Sequence, residues 1–167
     1  KDMLKFALAV GIVTLSWSLV TPMFEFPDEQ AHYGSVDYLL NQGEMPSYGK
    51  LDLNLEMVKT QEYLGTFRDG LGNNRYTYHP EYHVPYVAGV DGLHESDIKS
   101  LNNSESRDTY VGNEAAKYPP LYYTFTTIYT SFVNSADLIT RLFVSRLANI
   151  DLALLMAIVS WKIGELI

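Results

Sequence analysis

Long uncharged stretches stand near both ends of the chain, and a polar stretch separates them. Phe6–Phe24 contains 19 residues without a charge. A helix of that length, rising about 1.5 Å per residue, covers roughly the hydrocarbon core of a bilayer. The pattern therefore predicts a first membrane helix within residues 1–24. A cleaved signal peptide is the alternative, although no small-x-small cleavage site follows the apolar run.

Two further apolar segments follow the polar stretch. Residues 118–136 carry no charge and predict a second membrane helix, which several Thr and Ser residues make only moderately apolar. Residues 142–167 predict a third membrane helix, interrupted by Arg146 and Asp151. Because ionisable side chains at membrane depth usually face the interior of a helix bundle, we expect a fragment of a longer polytopic protein. A helix in a soluble core is the alternative for this third segment.

Composition narrows the function classes. The 167 residues include 20 acidic and 12 basic side chains, a formal net charge of -8, and no cysteine. An acidic chain does not suit nucleic-acid binding, which requires clustered Lys and Arg to neutralise phosphates. The absence of cysteine excludes disulfide bonds, thiolate metal sites and a cysteine nucleophile within this sequence.

The distribution of charge indicates an orientation. Residues 25–117 hold 16 of the 20 acidic side chains and read as an aqueous loop domain. Lys1 and Lys5 precede the first helix, so the positive-inside rule predicts a cytoplasmic N-terminus and an extracytoplasmic loop. If the second helix returns through the membrane, Arg141 and Arg146 also lie on the cytoplasmic side. The predicted fold is an all-α integral membrane protein with three membrane helices and a long loop between the first and second.

The motif PDEQAH, Pro27–His32, directly follows the first membrane helix. It opens a helical pattern that we expect to end at Gly43. Asp28 and His32 are four residues apart and share one helical face, while Glu29 lies on an adjoining face. Two carboxylates and an imidazole at a membrane surface can serve acid/base chemistry or bind a metal. In the alternative interpretation, Asp28 caps the helix and Glu29 complements its dipole.

A Tyr-rich segment, Arg75–Val87, contains two histidines spaced by four. His79 and His83 could bind one metal ion if they lay on a helix. Pro80 and Pro85 favour an extended or irregular backbone instead. Aromatic packing, or a surface on which sugar rings stack, is the alternative for this segment.

Three motifs occur in a fixed order along the chain: PDEQAH at Pro27–His32, KYPPLYY at Lys117–Tyr123, and R-x-x-x-x-R at Arg141–Arg146. With the first membrane helix before them and the polar loop between them, they resemble the N-terminal part of GT-C fold membrane glycosyltransferases. That class includes protein mannosyltransferases and aminoarabinose transferases. The similarity is greatest to polytopic families that begin with a P-D-E-x-x-H motif.

The resemblance implies an activity. Enzymes of this class transfer a sugar from a polyprenyl-phosphate carrier to an acceptor on the extracytoplasmic face. An acidic residue of their first outer loop acts as general base or helps hold a divalent metal, and Asp28 matches that position. Glu29 is the second acid of the motif and a second catalytic candidate. The one cofactor that the resemblance implies is a divalent metal.

The resemblance also implies substrate-binding residues. In aminoarabinose transferases a Lys directly precedes the Pro-Pro pair and resembles a phosphate anchor. Here Tyr118 holds that place and Lys117 lies one residue earlier, which rotates a helical side chain by about 100°. We include both as substrate-binding candidates, together with His32 and Tyr122.

The expected partners are a lipid-linked sugar donor and membrane lipid, without nucleic acid. The sequence does not indicate the sugar, the acceptor or the oligomeric state. Two other classes fit the same features. One is a non-catalytic, membrane-anchored module whose Tyr-rich loop binds glycan or peptide, and the other is a secreted acidic domain released by signal cleavage.

Overall fold

The computed structural model describes residues 2–26, 28–47, 49–66, 90–112 and 120–167, with residues 90–93 described by their backbone alone. These residues are mostly helical. The helices are α1 (Asp2–Val20), α2 (Glu29–Gln42), α3 (Leu55–Leu64), α4 (Val90–Ser100), α5 (Ser104–Asp108), α6 (Pro120–Ser131) and α7 (Leu138–Gly164). Two short strands, β1 (Leu53–Asn54) and β2 (Tyr110–Gly112), pair antiparallel, with Leu53 opposite Gly112.

Two of the described helices, α1 with 19 residues and α7 with 27, are long and apolar enough to cross a membrane. They pack side by side in opposite directions. The Phe6 ring, early in α1, lies 5.7 Å from the Trp161 ring, late in α7. At the other end of α1, Arg146 of α7 donates a hydrogen bond to the carbonyl oxygen of Ser18. The start of α1 and the end of α7 therefore lie together, and the loop domain lies at the opposite end.

The second of the three predicted membrane helices is not shown. α6 has 12 residues and a length of about 18 Å, against about 30 Å for the hydrocarbon core. It packs against α2 and α7. The turn after α6 contacts the loop domain, because Arg107 of α5 donates to the carbonyl oxygen of Asn134 over 2.8 Å. The turn at residues 132–136 thus lies beside the loop domain, and α7 begins there.

This arrangement corrects the expected placement of the basic residues. The third predicted helix begins earlier than residue 142, because the Asp137 side chain accepts from Thr140 N–H and caps α7 at Leu138. Arg141 and Arg146 lie in the first turns of α7, beside the loop domain. They are at the opposite end of α1 from Lys5, so their expected position on the same side as Lys5 is not supported.

The loop domain packs on the ends of the two long helices. α2 ends as predicted at Gly43, which adopts φ 71° and donates its N–H to Leu39 oxygen, a left-handed helix end that suits glycine. α3 begins after Asn54, whose side chain accepts from the N–H of Met57 and caps the helix, and it ends at Gly65. The two-residue pairing of β1 with β2 was not predicted. The buried hydrophobic core joins the α1–α2 connection, α2, β1, α3, α6 and α7 through Met23, Phe24, Tyr33, Val36, Leu53, Met57, Tyr123, Leu138 and Leu142.

Candidate active site at the junction of α1 and α2

The connection between α1 and α2 contains two residues in the left-handed backbone region. Phe24 has φ 60° and Asp28 has φ 58°, and among the described residues no other residue except glycine has a positive φ. Asp tolerates this region, whereas for a bulky residue such as Phe it is a rare and strained conformation. Phe24 is fully buried. Packing therefore holds the connection in a conformation that its own sequence does not favour, a feature that clusters at functional sites.

Glu29 is bound on both of its oxygens. Oε1 accepts from Arg146 Nε over 2.6 Å, and Oε2 accepts from Arg146 Nη2 over 2.7 Å. Oε2 also accepts from the backbone N–H of Phe24 over 2.7 Å. The bidentate pair with a guanidinium and the bond to a strained residue make Glu29 the anchor of the connection. These contacts occupy three of the roughly four acceptor positions of the carboxylate.

Arg146 joins this anchor to the end of α1. Besides Glu29, it donates to the carbonyl oxygens of Ser18, Thr21 and Pro22 over 2.7 to 2.8 Å. A guanidinium has five N–H donors, and the contacts to Glu29 and to these three carbonyls use all five. The three carbonyl oxygens come from the last turn of α1 and the residues after it, where a helix leaves its acceptors without partners. Arg146 thus caps a membrane helix.

Asp28 lies at the N-terminal end of α2 and is exposed. Its carboxylate makes no capping hydrogen bond to the first turn, so the alternative in which its side chain caps α2 is wrong. Its backbone oxygen accepts from the N–H of His32 over 3.0 Å. The two neighbouring acids of the motif therefore differ in environment: the Glu29 carboxylate is enclosed by donors, and the Asp28 carboxylate faces solvent.

His32 and Tyr122, both substrate-binding candidates, meet beside a cavity of about 330 Å³. The His32 ring lies 6.2 Å from the Tyr122 ring, nearly at right angles, and its Nδ1 is 3.1 Å from the Tyr123 hydroxyl. The cavity lies between α1, α2, α6 and α7, and its walls include Trp17, Phe26, His32, Tyr122, Asn149 and Ile150. Its walls therefore combine apolar rings and chains with a few polar groups, as in small-molecule sites.

Glu25 is a partly buried acid of this connection that sequence reasoning missed. Its Oε2 atom is buried and has no hydrogen-bond partner among the described residues. Burial, with a smaller effect from the nearby Glu29, raises the pKa of Glu25 to about 7. The signal for it lay in the sequence, because Glu25 is the first charged residue after the apolar run.

A second buried ion cluster lies beyond the cavity. Arg141, fully buried, donates through Nη1 to Asp37 over 2.5 Å and through Nη2 to Glu56. Asn54 donates to Asp37 over 2.7 Å and also caps α3. Burial raises the pKa of Asp37 and Glu56, and the facing Arg141 partly offsets the rise. The R-x-x-x-x-R motif thus supplies one arginine to each cluster. Two arginines within an apolar helix were the sequence signal for this role.

Four candidates from the sequence, Lys117, Tyr118, His79 and His83, lie outside the described residues, as does the whole of the Tyr-rich segment. Within the described residues, no group of three or more His, Asp or Glu side chains could hold a metal ion. The Glu29 carboxylate of the motif is already bound by Arg146. The described residues do not fit the divalent metal that the resemblance implies.

Comparison with known proteins places most of the chain in one family. The model of a family described as "Predicted membrane protein (DUF2142)" matches residues 11–165. No curated protein and no solved structure matches the chain.

Proposed function

We propose, since the chain belongs to the DUF2142 family of predicted membrane proteins, that it is the N-terminal portion of a membrane glycosyltransferase. The enzyme transfers a sugar from a polyprenyl-phosphate donor to an acceptor on the extracytoplasmic side. The observation that carries this proposal is the strained connection between α1 and α2. It holds Asp28 exposed in a left-handed conformation, next to an anchor formed by Glu29 and Arg146.

The chemistry assigns different roles to the two acids. In the transfer, an acceptor hydroxyl attacks the anomeric carbon, the bond from that carbon to the carrier phosphate breaks, and the phosphate leaves with the bonding electrons. Asp28 takes the hydroxyl proton as general base. Glu29 does not, because both of its oxygens accept hydrogen bonds from Arg146. It positions the connection instead. No step is assigned to a metal ion.

The cavity supports a substrate carried by a lipid. Its lining includes Thr14 and Trp17 of α1 and Asn149 and Ile150 of α7, in the halves of these helices that adjoin the loop domain. Apolar walls there suit an isoprenoid chain, and His32 and Tyr122 can donate hydrogen bonds to a polar head group. In this proposal Lys117 and Tyr118, outside the described residues, remain candidates for contact with the phosphate.

The orientation in the proposal rests on the positions of two lysine residues. Lys5 and Lys162 lie at the end of the helix pair that is remote from the loop domain, which places that end in the cytoplasm by the positive-inside rule. The acidic loop domain is then extracytoplasmic, on the side where carrier-linked sugars are used. Asp28 lies at this outer surface.

Asp28→Asn tests the proposal in the full-length protein in its membrane. Asn also tolerates the left-handed region, so folding and insertion should be unchanged, while loss of a positioned base lowers sugar transfer about 100-fold or more. Glu44→Gln, an exposed acid just after α2, is the matched control and should retain transfer. Transfer at the wild-type rate in Asp28→Asn would remove Asp28 from catalysis and with it the support for the enzyme.

A further inference from the structure

A carboxylate lies on the exposed face of α7 at membrane depth. Asp151 is exposed, and the hydroxyl of Tyr129 on α6 donates to its Oδ2. Asp151 follows Arg146, which caps the end of α1, by about 7.5 Å along the helix axis. Deeper still, Leu154 packs within 3.2 Å of the position that a Cβ at Gly11 would occupy. Asp151 is therefore level with the interior of α1.

Lipid is an unfavourable neighbour for this group. A charged Asp at the centre of a membrane helix is costly, and such residues almost always face a helix bundle or a water-filled cavity. The Tyr129 hydroxyl supplies one hydrogen bond, but a carboxylate has about four acceptor positions. One turn away on either side, Leu147 and Leu155 are also exposed. The face thus combines an apolar border with an acceptor that needs a further donor.

We propose that this face of α6 and α7, defined by Tyr129, Leu147, Asp151 and Leu155, packs against a further membrane helix that carries an Arg or Lys opposite Asp151. A cation supplies the donor and neutralises the charge. The exposed side chains of Leu147 and Leu155 are buried against the apolar sides of that helix. Polar side chains between membrane helices commonly hold them together in this way.

A second copy of this chain does not supply that cation from the described residues. Arg141 is fully buried between Asp37 and Glu56, and the five donors of Arg146 are all used. Lys5 and Lys162 lie near the other end of the helix pair, where each pairs with an acid of its own helix end. Two copies joined through this face would instead bring their Asp151 side chains together.

The double substitution Tyr129→Phe and Asp151→Leu tests the proposal in the full-length protein in its membrane. It leaves no polar group of this pair without a partner. If a basic helix covers the face, the thermal midpoint of unfolding falls by at least about 5 °C relative to Tyr129→Phe alone, because the partner's charge loses its counterion. Asp151→Glu is the matched control and keeps most of the stability. If lipid covers the face, the double variant is as stable as Tyr129→Phe or more stable, which overturns the proposal.

A second measurement does not alter the pair. Because the chain contains no cysteine, a single nitroxide can be attached at Leu155→Cys in the full-length protein after removal of any cysteine elsewhere. If a helix covers this face, the nitroxide at position 155 should collide with oxygen less often than a nitroxide-labelled lipid at the same depth. Collisions as frequent as those of the lipid probe would contradict the proposal, and so would spin–spin broadening between two copies. Neither measurement depends on sugar transfer.

Discussion

Asp28 and Glu29 are neighbours in one motif, yet the structure separates their roles, and their substitutions should separate as well. Glu29→Gln removes the charge that faces Arg146, whose exposed fraction is 3%. Breaking one partner of a buried ion pair costs about 3 to 5 kcal/mol. We therefore expect Glu29→Gln to lower the free energy of unfolding by about 3 kcal/mol, measured by denaturant titration in detergent, whereas Asp28→Asn changes it little.

The same substitution at an exposed pair provides the comparison. Glu62 pairs with Lys59 on the surface of α3, where both side chains are nearly half exposed. Exposed pairs contribute between about 0 and 1 kcal/mol, so Glu62→Gln should leave the unfolding free energy almost unchanged. Equal changes in unfolding free energy for Glu29→Gln and Glu62→Gln would show that the buried pair of Glu29 with Arg146 stabilises the fold no more than an exposed pair does.

Glu25 should make stability depend on pH. Its pKa in the folded protein is about 7, above the ordinary value of 4.5. The folded state therefore holds the proton more tightly, so the contribution of Glu25 to stability is fully present below about pH 4.5 and is lost as the pH rises through about 7. Because the group is partly solvated, we expect a loss of about 1 kcal/mol. Unfolding of wild type and Glu25→Gln at pH 5 and pH 8 measures it, and wild type should lose more. A larger loss in the variant would contradict the assignment.

At the scale of elements, Arg141 joins α7 to the loop domain. It is the cation between Asp37 of α2 and Glu56 of α3, and all three side chains are buried. Arg141→Met leaves two buried acids without their counterion and should lower the unfolding free energy by about 3 to 5 kcal/mol. Protease sensitivity of the loop domain in membranes should rise in parallel.

The neutral triple variant distinguishes charge from packing. Arg141→Met combined with Asp37→Asn and Glu56→Gln removes every charge of the cluster, and replacement of a whole buried cluster is often neutral or stabilising. We expect it to recover much of the loss. Lys162→Met, which breaks an exposed pair with Glu165, is the control and should have little effect. A triple variant as unstable as Arg141→Met would show that packing of the arginine, and not its charge, holds the elements together.

At the scale of the whole molecule, the antiparallel packing of α1 and α7 predicts a membrane topology that can be tested. Ser135 lies in the exposed turn before α7, and its carbonyl oxygen accepts from Asn102 of the loop domain. Cysteines at Ser135 and Glu105 should therefore react together with a membrane-impermeant reagent in intact cells, and a cysteine at Glu165 should react after lysis. Three membrane helices would instead place Ser135 in the cytoplasm, on the opposite side from Glu105, and Glu165 outside.

Local pattern was sufficient for some of this architecture and insufficient for the rest. An uncharged run long enough to span a bilayer, the start of α2 at the acidic motif and its end at Gly43 all follow from neighbouring residues, because helix formation and termination are local. The sequence therefore determined the helices α1 and α2 and the acidic loop domain. It could not show that residues 120–136 form a helix of 12 residues followed by a turn, since the lack of charge does not fix where a helix ends.

Tertiary structure decided the roles of the charged residues. Arg146 contacts Glu29 across 117 positions of sequence, and Arg141 contacts Asp37 across 104. The sequence does not show which partner a charged side chain has. From the sequence alone, both arginines therefore indicate the cytoplasmic side, and Glu29 is as good a catalytic candidate as Asp28. Only the folded chain shows the guanidinium that binds Glu29, the exposure of Asp28 and the contact between Asp151 and the Tyr129 hydroxyl. The physical reason is that an ion pair depends on distance in space, whereas the sequence records distance along the chain.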